Sequence, residues 1–116
     1  MPRFSSLMAA AALVLTLPAL PSQAASFNCH NAITPAERTI CGKPTLNILD
    51  QRMAAVYNKL LKIVGHAGAR DQFRADQLSW LNIRDACGSD ATCLRATILS
   101  RTNELNGYIA QVRRGG

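Results

Sequence analysis

From residue 44 onward the apolar side chains recur at steps of three and four: Leu46, Leu49, Met53, Val56, Tyr57, Leu60, Leu61 and Val64. That spacing places them on one stripe of an α-helix. Pro44 suits the first helical position, where a missing N–H costs nothing. Gly65 and Gly68, which bracket His66 and Ala67, are expected to break this helix. A following helix, from about Ala69 to Ala86, brings Phe73, Gln77, Trp80, Leu81 and Arg84 onto one face and is expected to end at Cys87-Gly88. Ser89 or Asp90 then caps a last helix with the stripe Leu94, Ile98, Leu105, Ile109 and Val112, and its tail, Arg113-Arg114-Gly115-Gly116, is expected to fray.

Ahead of these, Thr34-Pro35-Ala36-Glu37 reads as a capping box. A short helix is therefore predicted from Pro35 to Cys41-Gly42, closed by a left-handed glycine. No segment alternates apolar and polar residues over a strand length. The fold class expected is all-α: a small antiparallel helical bundle of one short and three longer helices.

The first residues follow another pattern. Met1-Pro2-Arg3 leads into an apolar run from Leu7 to Leu20, closed by Pro21-Ser22-Gln23-Ala24-Ala25, the layout of a secretory signal peptide. The run falls short of the ~20 residues of a membrane span. Ser22 and Ala24 supply small side chains at the third and first positions before a cut. Residues 1–24 are thus expected to be a cleaved signal peptide and residues 25–116 one helical domain, periplasmic or secreted, with no transmembrane segment in the mature form. A lipoprotein needs a cysteine at the cleavage point, and Cys29, preceded by Ser26-Phe27-Asn28, does not fit.

Export changes the reading of the cysteines. Cys29, Cys41, Cys87 and Cys93 are even in number, and in an oxidising compartment they read as two disulfides that staple a small core. Eleven residues separate the first two and five the last two, unlike the close pairs of a zinc site. Among three connectivities, pairing of sequence neighbours is preferred. Cys87–Cys93 would pin a corner between two helices, and Cys29–Cys41 would bracket the capping box.

Loss of Arg3 with the signal leaves twelve Lys and Arg against seven Asp and Glu, a net charge of +5. The cations are spread from Arg38 to Arg114 without a dense stripe interleaved with aromatics, so nucleic acid is not an expected partner. Weak, salt-sensitive contact with an anionic polymer or lipid surface is compatible with this charge.

Little in the chain points to catalysis. His30 abuts a cysteine, His66 sits in a glycine-flanked turn, and neither has metal-ligand spacing; no phosphate loop or serine-nucleophile motif appears. No catalytic residue, metal or other cofactor is assigned, and the chain is not expected to be an enzyme. Asp50, Arg84 and Asp85 lie on helices expected to face each other. An Asp50–Arg84 ion pair would set the register of those helices or serve binding. Gln77 and Trp80 share the same face, and Tyr57 lies on the preceding stripe; all three suit either a core or an interface.

Taken together, Phe27-Asn28-Cys29, Glu37, Ile40-Cys41, Leu49-Asp50, Tyr57, Gln77, Trp80-Leu81, Arg84-Asp85, Cys87, Cys93-Leu94 and Arg101 resemble, in order and spacing, the domain of the LprI-type lysozyme inhibitors. These landmarks span nearly all of residues 25–116. The resemblance implies a secreted or periplasmic helical domain with two internal disulfides that binds lysozyme. Lys43 and Ile98 depart from it, standing where members often carry a capping aspartate and a tyrosine.

Two functions remain in view. One is an exported binding domain that inhibits a lysozyme-type wall-degrading enzyme by occluding its cleft, with Asp50, Asp85, Asp90 and Glu104 as acidic groups to face a basic lysozyme. The other is a non-inhibitory envelope adaptor or structural domain that binds another protein or wall polymer through its basic surface and Trp80.

Overall fold

The computed structural model describes residues 23, 24 and 26–115. Residues 1–22 of the expected signal peptide lie outside them, as do Ala25 and Gly116. The described chain forms α1 (Pro35–Gly42), α2 (Pro44–Ile63), α3 (Ala67–Asp85) and α4 (Ala91–Gly115). Before α1 come a 3-10 turn, Cys29–Asn31, and two short strands, β1 (Gln23–Ala24) and β2 (Phe27–Asn28), which pair antiparallel. Two-residue strands are too short for alternation to announce them, and the all-α class holds for the rest.

The helix ends show which local signals governed. The capping box forms as expected: Thr34 Oγ1 accepts the Glu37 N–H at 3.1 Å, and Glu37 Oε1 accepts the Thr34 N–H at 3.1 Å. Gly42, however, remains helical, and the one positive φ among the described residues is at Gly88 (57°). Lys43 is extended, at φ −119° and ψ 109°, because the ring of Pro44 disfavours a helical residue before it. Pro44, not a left-handed Gly42, thus ends α1.

The break after α2 differs in a similar way. Gly68 lies inside α3. His66 makes the cap instead, its Nδ1 accepting the Ala69 N–H at 3.2 Å, so α3 starts two residues earlier than expected. Asp90 rather than Ser89 caps α4, its Oδ1 accepting the Cys93 N–H at 3.1 Å. The tail expected to fray stays helical through Gly115, where Arg113 and Arg114 set positive charge against the negative end of the helix dipole.

Both neighbour disulfides are present, Cys29–Cys41 and Cys87–Cys93. The first ties the segment before α1 to the end of that helix; the second closes the corner between α3 and α4.

α2 and α4 lie closest together. They run parallel, since Leu46 neighbours Ala91 at one end and Val64 neighbours Val112 at the other. α3 runs antiparallel to both, with Gln77 reaching Met53 of α2 and Arg101 of α4. The apolar core joins Leu46, Met53 and Leu60 of α2, Trp80 of α3, and Leu94, Ile98, Leu105 and Ile109 of α4 to Ala36 and Ile40 of α1. Burying each large aliphatic side chain contributes about 1.5–3 kcal/mol.

Candidate functional site: the α2–α3 groove and its polar supports

The apolar stripes have gaps, and polar side chains fill them inside the core. Asp50, Gln77, Arg84 and Arg101 are 0, 7, 2 and 3% exposed. Buried polar groups are costly unless hydrogen-bonded, so their partners decide how α3 is held.

The first support lies where α2 starts and α3 ends. Arg84 Nε and Nη2 donate to Asp85 Oδ1 at 3.0 and 2.8 Å, and Nη1 donates to Ser26 Oγ at 3.3 Å. Arg84 Nη2 is also 3.7 Å from Glu37 Oε2, and the guanidinium lies 5.2 Å from the centre of the Phe27 ring. Ser26 in turn donates its hydroxyl to Asp50 Oδ2 at 2.6 Å and its N–H to the same oxygen at 3.3 Å.

The expected direct Asp50–Arg84 ion pair is therefore replaced by a relay through the Ser26 hydroxyl. The physical reason is competition: Asp85 and Glu37 occupy the guanidinium, and a serine from the N-terminal segment fills the space between. Burial pushes the Asp50 carboxyl above its ordinary value, against the opposing effects of the Ser26 hydroxyl and the Arg84 charge. Burial also pushes Glu37 up, but the N–H groups of Thr34 and Ile33 and the Arg84 charge outweigh it and leave that carboxyl below its ordinary value.

The second support lies midway along the bundle. Arg101 Nε donates to Gln77 Oε1 at 3.0 Å, while Nη1 meets Glu104 Oε1 at 2.7 Å and Asp76 Oδ2 at 2.9 Å. Gln77 Nε2 contacts Met53 Sδ at 3.3 Å, and Arg101 lies 5.8 Å from the centre of the Trp80 ring. Trp80, 6% exposed, is thus a core ring and not an anchor open to a partner. Gln77 belongs to the same interior.

Between these supports, α2 and α3 leave a groove of about 360 Å³ lined by Ala54, Tyr57, Asn58, Arg74, Leu78 and Leu81, with Ser26 and Gln77 from the two supports also in its wall. Leu78 is 66% exposed on its edge. Arg74 stands beside it, paired with Asp71 at 3.1 Å in the open. Tyr57 is half-buried in the wall, and burial raises its phenol above the ordinary value, so it remains a hydrogen-bond donor throughout the neutral range. The groove offers apolar surface with a cation, a phenol and an amide at its rim.

The acidic groups are poorly placed to face a partner together. Asp50 is buried, Asp85 is held by Arg84, Asp90 caps α4, and Glu104 is shared between Arg101 and the Tyr108 hydroxyl. His30 is exposed. Among the described residues no three His, Cys, Asp or Glu side chains are grouped to hold a metal ion, and no helix is long and apolar enough to cross a membrane.

Ser26, Arg74, Asp76 and Leu78 carry parts of this arrangement that periodicity did not single out. The one visible signal for a buried Arg101 was its place three residues after Ile98 and four before Leu105, on the apolar stripe of α4. Comparison with curated proteins and with solved structures returns no match. The family model for lysozyme inhibitor LprI matches residues 28–110, a span that takes in α1, α2, α3, both disulfides and most of α4. On that match, the chain belongs to the LprI lysozyme inhibitor family.

Proposed function

We propose that the chain is an exported, non-enzymatic envelope protein that binds a lysozyme-type wall-degrading enzyme and occludes its cleft through the α2–α3 groove and its Arg74–Leu78 edge. The family match carries this reading, because it falls on the helical unit that builds the groove. The chemistry is compatible. A muramidase cleft of the lysozyme type holds two carboxylates, one protonated and one ionised. Donors such as Arg74, Tyr57 and Asn58 suit those groups, and Leu78 supplies apolar area to exclude water.

The mature charge of +5 on residues 25–116 sets a preference. Long-range repulsion slows association with a strongly basic lysozyme and not with a neutral or acidic one. The test is a wall-lysis assay in which the oxidised protein is titrated against several muramidases of different charge. Protection that saturates at one inhibitor per enzyme supports the reading; no protection against any of them refutes it.

A second reading, an envelope adaptor for an anionic wall polymer, draws on one feature. A shallow depression of about 300 Å³ is lined by Lys43, Thr45, Leu46, Ala91, Thr92 and Arg95, which sets two cations and two hydroxyls around one hollow. Sedimentation with purified wall polymer that is abolished by K43E/R95E would favour it.

A further inference from the structure

Asp50 is wholly shielded from water, yet its Oδ1 meets no hydrogen-bond donor among the described residues. Its other oxygen, Oδ2, takes both donors of Ser26. The charged groups that face the carboxylate are Arg84 from α3 and Glu37 from α1. Arg84 donates to Asp85 and Ser26 and leans towards Glu37, so among the described residues no cation bonds Asp50 directly. A buried carboxylate oxygen without a donor is rare and calls for an explanation.

The expected cleavage point lies one residue before Ser26. Hydrolysis of the Ala24–Ala25 peptide bond by an envelope signal peptidase consumes one water, leaves a carboxylate on Ala24 and frees the amine of Ala25, which takes up a proton at neutral pH. That nitrogen is joined to the Ser26 nitrogen through two carbon atoms, so the two lie within about 3.7 Å of each other. The Ser26 nitrogen is itself 3.3 Å from Asp50 Oδ2. The new ammonium is thus tethered one residue from the nitrogen that already bonds the carboxylate, and it has three protons to donate.

We propose that Asp50 forms a binding site for a primary ammonium group, and that its occupant is the chain's own mature N-terminus, which bonds Oδ1 once the signal segment has been removed. This rests on the expected cleavage after Ala24. Export processing then completes the first polar support: the Ala25 ammonium, Asp50, Ser26 and Arg84 form one closed network joining the start of the mature chain to α2 and α3. The uncleaved chain lacks that cation and holds a less stable fold.

The test uses the full chain, exported with its own leader and checked by intact mass. It is compared with a chain carrying Gly-Ser inserted between Ala24 and Ala25, which moves the ammonium two residues away. Ser26 keeps its bonds to Asp50 with residues still attached ahead of it, so the insertion is tolerated sterically. Each form is also made with Asp50→Asn.

The insertion should lower the folded-to-unfolded ratio about tenfold near pH 7 when Asp50 is present, and leave it within about twofold when Asn is present. A buried carboxylate raises the amine above its ordinary ~8. With Asp50 ionised, the stabilisation is therefore whole below that value and is lost as pH rises through the folded one; at the acid end it is lost again as Asp50, itself raised by burial, takes up a proton. Equal stability with and without the insertion in the Asp50 background would overturn the proposal. If Asp50→Asn does not fold, titration of the Ala25 amine by NMR decides: an upward shift supports the pairing, an ordinary value refutes it. A mass showing the leader retained would refute the cleavage reading alone. The amine titration, repeated on a chain released at Ala25 by a protease site placed in the leader, then separates that failure from a failure of the pairing.

Discussion

Arg84→Met removes the guanidinium that ties three segments together while keeping most of the side chain's apolar volume. Arg84 is 2% exposed, whereas Asp85 and Glu37 are 29 and 16% exposed, so solvent screens part of each attraction and neither ion pair counts in full. The pair with Asp85 and the hydrogen bond to Ser26 are worth about 1 kcal/mol each. The more distant Glu37 and the Phe27 ring add about 0.5 kcal/mol each. Asp50 also loses the Arg84 charge, which favours its ionised form. Relief of the buried guanidinium's desolvation offsets part of the loss, which places the net cost near the low end of a broken buried pair, about 3 kcal/mol.

For a domain of this size that corresponds to a fall in Tm of about 15 °C, read by circular dichroism at pH 7 with disulfides intact. Arg84→Lys should recover less than half of the loss, because an ammonium cannot reproduce the fork that serves Asp85 and Ser26 together. If Arg84→Met lies within about 1 kcal/mol of the parent, the reasoning fails: the network would then be a bystander to apolar packing.

Leu78→Glu should leave Tm within about 2 °C, since the side chain is 66% exposed, yet weaken inhibition of a muramidase at least tenfold; unchanged inhibition would move the contact away from the groove. Against a strongly basic lysozyme, inhibition should strengthen as salt is raised from 20 to about 200 mM, because screening removes repulsion; weakening with salt would contradict the charge argument. The Glu37 carboxyl sits below its ordinary value of 4.5, so its contribution is present above that pH and is lost as pH falls through the lower, folded value. Glu37→Gln should therefore cost about 1 kcal/mol at pH 7, and that cost should shrink as pH is lowered below 4.5, measured by urea unfolding. Loop closure gives Cys29–Cys41 (separation 12) about 3 kcal/mol and Cys87–Cys93 (separation 6) about 2. Replacing the first pair by serines should lower the urea midpoint more than replacing the second.

The number, type and approximate extent of the four helices, the capping box at Thr34 and the neighbour pairing of the cysteines were all legible along the chain. Each rests on local physics: apolar side chains three and four apart meet on one helix face, and a cap or a short loop closure is decided within a few residues. Where two local rules competed at one place, the sequence left the outcome open. Pro44 overrode Gly42 through the steric limit it sets on Lys43, and His66 overrode the flanking glycines by capping α3 with its ring.

The fate of the polar residues on the helix faces belonged to the tertiary structure. Periodicity put Asp50 and Arg84 on facing helices, but only the packed chain brought Ser26 between them, from 24 residues before one and 58 before the other. Trp80 became core with Arg101 of α4 lying over its ring, that guanidinium being held by Gln77 of α3, and Asp76 was drawn to the same Arg101 from a separate helix. The groove beside Tyr57 exists because α2 packs closer to α4 than to α3. These are contacts between segments distant in sequence, and the competition for one guanidinium or one carboxylate is settled only when all the competing groups have been brought into the same few ångströms.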